Sequence, residues 1–330
     1  MIEYFINEVM RMKKELPILV KPPIIAYQYH AYSLGALFQN ATFIDYFMCN
    51  YINIFYNKRL CNKANFTSED DKYFDEMPSF TRNTISFQNN FLFDYSCDSF
   101  TKMVMFMIEN EYYINGFINE YYVPDRTSYR SCYFRHDFLI YGYDYEQKVF
   151  NSIGYNSNWD YKEHYIPFED FYYGIKSVKG TNWIHFFKNI KEYKYSFDIT
   201  NFKKQLYNYL NSVNTNNNLE NDCFYGINVY HAFAIDIEAN PKYIDLRYVR
   251  LLLEHKRCMY LRIQYLITNG YLEDDNYLSA YSEIVRIFEI IFNITMKNNK
   301  SNKCTDRILN YLQSSIEKET KILTRVLYAV

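Results

Sequence analysis

The spacing of apolar residues changes character about two-thirds of the way along the chain. Ala26 to Phe38, Phe43 to Tyr56 and Ser99 to Asn110 carry apolar side chains at three- and four-residue intervals and predict helices. Tyr112 to Glu120 and Phe138 to Ile153 read as strands, the second stretch folding back through a turn at Tyr145 and Glu146. Beyond Asp198 the pattern is almost wholly helical, over Phe202 to Val213, Asp245 to Asn269, Asn276 to Lys297 and Thr305 to Ala329. The polar tract Asn214 to Asn221 reads as an exposed connection, and Pro241, Gly270 and the run Asn298 to Asn302 punctuate the later helices. The expectation is an α+β domain over residues 1–195 followed by a helical bundle over 196–330.

Composition narrows the class. The chain has 330 residues, 49% of them hydrophobic, enough to build one large core or two of ordinary size. Its longest apolar runs, such as Phe288-Glu289-Ile290-Ile291-Phe292, are far shorter than the roughly 20 residues a membrane helix requires. Met1-Ile2-Glu3-Tyr4 carries neither the basic flank nor the apolar block of a secretory signal, so a cytoplasmic protein without a membrane partner is expected. The net charge is −2 and the basic residues are interspersed with acidic ones, which argues against a nucleic-acid surface built on phosphate neutralisation. Seven cysteines are scattered without a CxxC spacing, so neither a disulfide framework nor a metal site is signalled. The 38 Tyr and 27 Phe residues fit the codon usage of an AT-rich genome and point to no activity.

Two segments invite chemistry. In Arg135-His136-Asp137-Phe138-Leu139-Ile140-Tyr141-Gly142, a histidine stands at the mouth of an apolar strand, where the backbone would hold an imidazole rigidly as a general base. If the hairpin turns at residues 145 and 146, His136 lies roughly opposite Tyr155, and Asn156 or Asn151 could reach the ring; Asn156, which leaves the strand beside His136, is preferred to the mid-strand Asn151. Asp137 should point to the opposite face and is the weaker candidate. The other segment is Pro22-Pro23-Ile24-Ile25-Ala26-Tyr27-Gln28-Tyr29-His30, in which two prolines lead into a helix beginning near Ala26. A helix N-terminus lowers the pKa of a thiol and can cradle an oxyanion, but position 26 holds a methyl group, and the nearest thiol, Cys49, reads as core packing. His30 lies one turn after Ala26 and is a possible substrate contact or a core histidine.

Taken in order, Tyr29-His30-Ala31-Tyr32, Tyr121-Tyr122-Val123-Pro124-Asp125-Arg126, His136-Asp137-Phe138-Leu139-Ile140-Tyr141-Gly142-Tyr143-Asp144, Phe168-Glu169-Asp170-Phe171, Leu253-Glu254-His255-Lys256 and Arg262-Ile263-Gln264-Tyr265-Leu266 resemble a known group. It comprises the cysteine-peptidase-like proteins of nonribosomal peptide and thiotemplate gene clusters, related to the N-terminal domain of butirosin biosynthesis protein H, among them amide-forming, transglutaminase-like enzymes of antibiotic assembly. The resemblance implies a papain-like cysteine-protease fold and a cysteine-dependent acyltransferase. An acyl or peptidyl carrier protein would deliver a phosphopantetheine thioester, an amine acceptor would take the acyl group as an amide, and no cofactor or metal of the chain's own would be needed. The family's cysteine maps onto Ala26, with His136 and Asn156 completing the triad; the surrounding pattern is kept, so Ala26 is read as a Cys-to-Ala replacement that leaves the chain inactive as it stands. Tyr27, His30, Arg262 and Tyr265 are the expected substrate contacts, the bundle forming one wall of the cleft. A peptidase or amidase of the same fold, or a catalytically dead module that docks a carrier protein, are the alternatives.

Overall fold

The two periodicities fold as two compact units, described by a computed structural model over residues 11–38, 40–57, 64–66, 80–88, 95–189, 194–214, 223–241, 244–273, 276–297 and 302–330. Residues 1–41 and 77–194 form one unit, 42–76 and 195–330 the other. The bundle unit thus takes a segment from the first half of the chain as well as the expected C-terminal region. The expected connections over Thr215 to Asn221 and Asn298 to Ser301 lie outside the described residues.

The first unit is α+β. Its strands are β1 (Lys13–Glu15), β4 (Phe80–Gln88), β5 (Tyr113–Asn119), β6 (Arg135–Asp144), β7 (Val149–Tyr155), β8 (Tyr161–Pro167) and β9 (Thr181–Asn189). They make one antiparallel sheet in the order β4-β9-β5-β6-β7-β8, with β1 extending the β5 side of β6. Three helices pack on it, α1 (Gln28–Leu37), α3 (Cys97–Glu109) and α4 (Phe168–Lys176). Ser96 caps α3 by accepting from the Ser99 amide at 3.1 Å. The core is aromatic: Phe171 of α4 meets Phe138 of β6 at 5.2 Å between ring centroids and Phe150 of β7 at 5.0 Å, edge-to-face packing that adds to simple area burial.

β6 pairs with β5 along its whole first half, from Arg135 opposite Asn119 to Ile140 opposite Ile114. Its pairing with β7 begins only at Ile140, opposite Ser152, and shifts register between Ile140 and Gly142. Among the described residues, 135–139 therefore have a strand on one side only, and the open side is where the candidate site lies.

The second unit joins α2 (Ala41–Cys49), a small antiparallel sheet of β2 (Ile54–Asn57), β3 (Ala64–Phe66) and β10 (Cys223–Tyr225), and helices α5 (Ile199–Leu210), α6 (Val229–Ala239), α7 (Leu246–Thr268), α8 (Tyr277–Lys297) and α9 (Asn302–Ala329). Asp198 and Asp245 cap α5 and α7. The helix expected over Phe43 to Tyr56 stops at Cys49, and the apolar residues that follow, Ile54 to Tyr56, become a buried strand; a short apolar run reads alike in either conformation. None of the helices is long and apolar enough to cross a membrane, among the described residues.

At the centre of this unit lies a fully buried ion pair. The Lys256 ammonium of α7 donates to Glu319 of α9 at 2.7 Å, to the Tyr209 hydroxyl at 2.9 Å and to His255 Nδ1 at 2.9 Å. The Glu319 carboxylate also accepts from Tyr230 at 2.9 Å and Tyr281 at 2.5 Å. Every charge in the cluster is met by hydrogen bonds, as burial requires.

Candidate functional site

His136 is the second residue of β6, on the stretch that lacks a β7 partner. Into the gap between the two strands reaches the side chain of Gln28, the first residue of α1. Its Oε1 accepts from the backbone N–H of Tyr155 on β7 at 2.8 Å and from Arg126 Nη1 at 3.0 Å. Its Nε2 lies 2.8 Å from His136 Nδ1 and 3.1 Å from Asp137 Oδ1 on β6. Arg126, buried, donates onward to the Tyr155 carbonyl, lies 3.5 Å from His164 Nε2 and stands 3.7 Å from Glu120. Gly154 makes room for all this, since a Cβ there would collide with both Arg126 Nη2 and Gln28 Oε1.

The imidazole is held on its inner side. Nδ1 lies 2.9 Å from Asp137 Oδ1 and 3.3 Å from Glu120 Oε1, and the ring of Phe134 stacks against it with centroids 5.4 Å apart. Its side chain keeps 36% exposure, and no hydrogen bond takes up Nε2 among the described residues. Asp137 is fixed in turn by Tyr32, whose hydroxyl donates to its carbonyl at 3.3 Å.

The electrostatics follow from these contacts. Burial alone would push the His136 imidazolium down, but the hydrogen bond and charge of Asp137, reinforced by Glu120, outweigh it and raise the pKa above the usual histidine range. Burial raises the Glu120 carboxyl, with Arg126 and His136 pulling against it. His164 is driven down to about 3 by burial and then by Arg126, so it stays neutral and can accept from the guanidinium. The result is a partly exposed imidazole, anchored at Nδ1 and open at Nε2, suited to proton transfer or to hydrogen bonding with a carbonyl oxygen.

Several expected residues fall elsewhere. Asn156 does not orient the ring: its Oδ1 accepts from the amides of Asn158 and Asp160 at 2.9 Å each, closing the turn after β7. Asp137 takes the orienting place. Strand alternation does separate the two Cβ atoms, but with no β7 neighbour at this point the carboxylate and the ring meet at the open edge. Ala26 lies two residues before Gln28 and is 6% exposed, beside Ile25, whose carbonyl accepts from the Tyr155 hydroxyl at 2.6 Å. Tyr27 is the N-cap residue of α1, and both it and His30 are packed in the interior, at 5% and 2% exposure.

Arg262 and Tyr265 belong to the second unit and do structural work there. Arg262, 1% exposed, donates to the carbonyls of Phe47, Met48 and Asn50 and so closes the C-terminal end of α2. The Tyr265 hydroxyl donates to Asp45 at 2.7 Å. Cys49 is buried as expected, its thiol pushed up to about 11 by burial.

Sequence reasoning missed Gln28, Glu120, Arg126 and His164 as members of the cluster. The one signal that could have found them is Gly154, since an isolated glycine within a strand marks a close approach. No family model matches the chain, and no curated protein matches it in sequence.

Proposed function

We propose that this chain handles activated acyl groups on a papain-like scaffold: a thioester carried on the phosphopantetheine arm of a carrier protein, with His136 as the working imidazole, Asp137 as its orienting carboxylate and position 26 as the nucleophile's seat. The observation that carries the reading is the anchoring of His136 Nδ1 by Asp137 and by Gln28, a residue of the first turn of α1, with Nε2 left open. That turn is two residues from position 26, so a side chain there and the imidazole belong to one small region of the fold.

With a cysteine at position 26, the thiolate would attack the thioester carbonyl. The bond to the pantetheine sulfur breaks, a new thioester forms on the cysteine, and the departing thiolate takes its proton from the His136 imidazolium. An amine then displaces the cysteine to give an amide, the cysteine leaving as its thiolate and the amine's surplus proton returning to the His136 imidazole. With Ala26 the first step has no nucleophile, and the chain as it stands binds the acyl group without taking it over. Nothing in the scheme consumes ATP, because a thioester is already activated.

The test is an Ala26→Cys variant incubated with a panel of acyl-pantetheine thioesters and read by intact mass. Acylation at position 26, lost in Ala26→Cys with His136→Ala, is the expected result. No acyl adduct across short-chain, long-chain and aromatic acyl groups would overturn the reading.

A further inference from the structure

The carboxamide of Gln28 can be oriented without ambiguity. The two groups near Oε1, Arg126 Nη1 at 3.0 Å and the Tyr155 amide at 2.8 Å, can only donate, so the oxygen must face them. The NH₂ group therefore faces β6, and it too can only donate. On that side, however, His136 Nδ1 meets one donor, Gln28 at 2.8 Å, and two carboxylate oxygens, Asp137 at 2.9 Å and Glu120 at 3.3 Å. A single ring nitrogen cannot serve a donor and an acceptor at once.

Asp137 Oδ1 already receives Gln28 at 3.1 Å whether or not Nδ1 carries a proton. Leaving Nδ1 bare turns its lone pair toward the Asp137 oxygen at 2.9 Å but gives both Gln28 N–H groups an acceptor, whereas a proton on Nδ1 sets two N–H donors against each other at 2.8 Å. Gln28 cannot escape by flipping, because its NH₂ would then confront the buried Arg126 guanidinium and the Tyr155 N–H.

We propose that Gln28 is a positioning residue that dictates the tautomer of His136: the neutral ring accepts from Gln28 at Nδ1 and carries its proton on Nε2. When the ring is protonated, Nδ1–H turns to Asp137 and Glu120, while Arg126 and the neutral His164 behind it keep the Gln28 oxygen in place. Nε2 is then an N–H donor in both protonation states. For the acyl-handling reading on which this consequence rests, His136 of the chain as it stands offers a hydrogen bond to the carbonyl oxygen of a bound thioester and does not act as a base at Nε2.

The experiment uses the full chain with ¹⁵N-labelled histidine. Long-range ¹H–¹⁵N spectra above the His136 pKa distinguish the two tautomers, and a His136→Gln spectrum assigns its signals among the six histidines. The wild-type ring should show the Nε2–H pattern. Gln28→Met should convert it to Nδ1–H, held by Asp137. Gln28→Glu, of nearly the same shape, should do likewise and shift the His136 titration to higher pH; it serves as the test if Gln28→Met does not fold. An Nδ1–H pattern in the wild type, or an Nε2–H pattern that persists in a folded variant, overturns the proposal. The tautomer is read by NMR in the chain with Ala26 and the acylation by intact mass in Ala26→Cys, so each reading fails on its own measurement.

Discussion

Gly154→Ala is the sharpest perturbation of the site that replaces none of its polar side chains. A Cβ at this position would lie closer than 3.0 Å to Arg126 Nη2 and to Gln28 Oε1. Neither neighbour can yield cheaply. Arg126 is buried and fastened to the Tyr155 carbonyl, and Gln28 is pinned between Tyr155 and His136. Overpacking of a tight interior costs about 1 to 3 kcal/mol, and displacing the guanidinium from an otherwise satisfied buried hydrogen bond adds about 1.5 to 3 kcal/mol. The expected loss is roughly 2.5 to 6 kcal/mol.

Urea unfolding followed by tryptophan fluorescence reads this unit alone, because the two tryptophans of the chain, Trp159 and Trp183, both lie in it. Gly180→Ala is the control. A Cβ there meets nothing, and with φ of +82° it should cost only about 1 to 2 kcal/mol of backbone strain. A Gly154→Ala loss no larger than that of Gly180→Ala would refute the idea that Gln28 and Arg126 are wedged between β6 and β7.

Asp137→Asn should lower the His136 pKa measured by NMR titration, because it removes the charge that raises it, whereas Asn156→Ala should leave the titration in place. Lys256→Met leaves Glu319 buried without its cation and should destabilise the bundle by about 3 to 5 kcal/mol in denaturant titrations followed by far-UV circular dichroism. The same pair gives the bundle a distinctive pH dependence. Burial pushes the Lys256 ammonium down to about 8, against the partial opposition of Glu319, while a free lysine titrates near 10.5. Between those values the unfolded chain binds the extra proton, so the urea midpoint should rise from pH 8 toward pH 10. Burial holds Tyr209, Tyr230 and Tyr281 above their usual value of 10.0, so further alkali ionises them only in the unfolded chain and the midpoint should then fall. A midpoint that drops steadily from pH 8 contradicts the assignment for Lys256.

The local pattern determined the elements whose burial is periodic. α3, β5, the β6–β7 hairpin and the long helices α7, α8 and α9 all lie where apolar spacing places them, within a few residues at each end. It also picked out His136 as the histidine at a strand mouth. These features depend on neighbours a few positions apart, which the chain itself displays. What pairs with His136 depends on where β7 leaves β6, and on which side chains from α1 and from the loop after β5 enter the opening. Because β7 joins β6 only from Ile140 onward, Asp137 meets the ring despite strand alternation, and the turn from β7 to β8 takes Asn156. The allocation of residues 42–76 to the bundle has the same origin. Arg262 and Tyr265 find their partners on α2 more than 200 positions away, through contacts that only the assembled helices bring within reach.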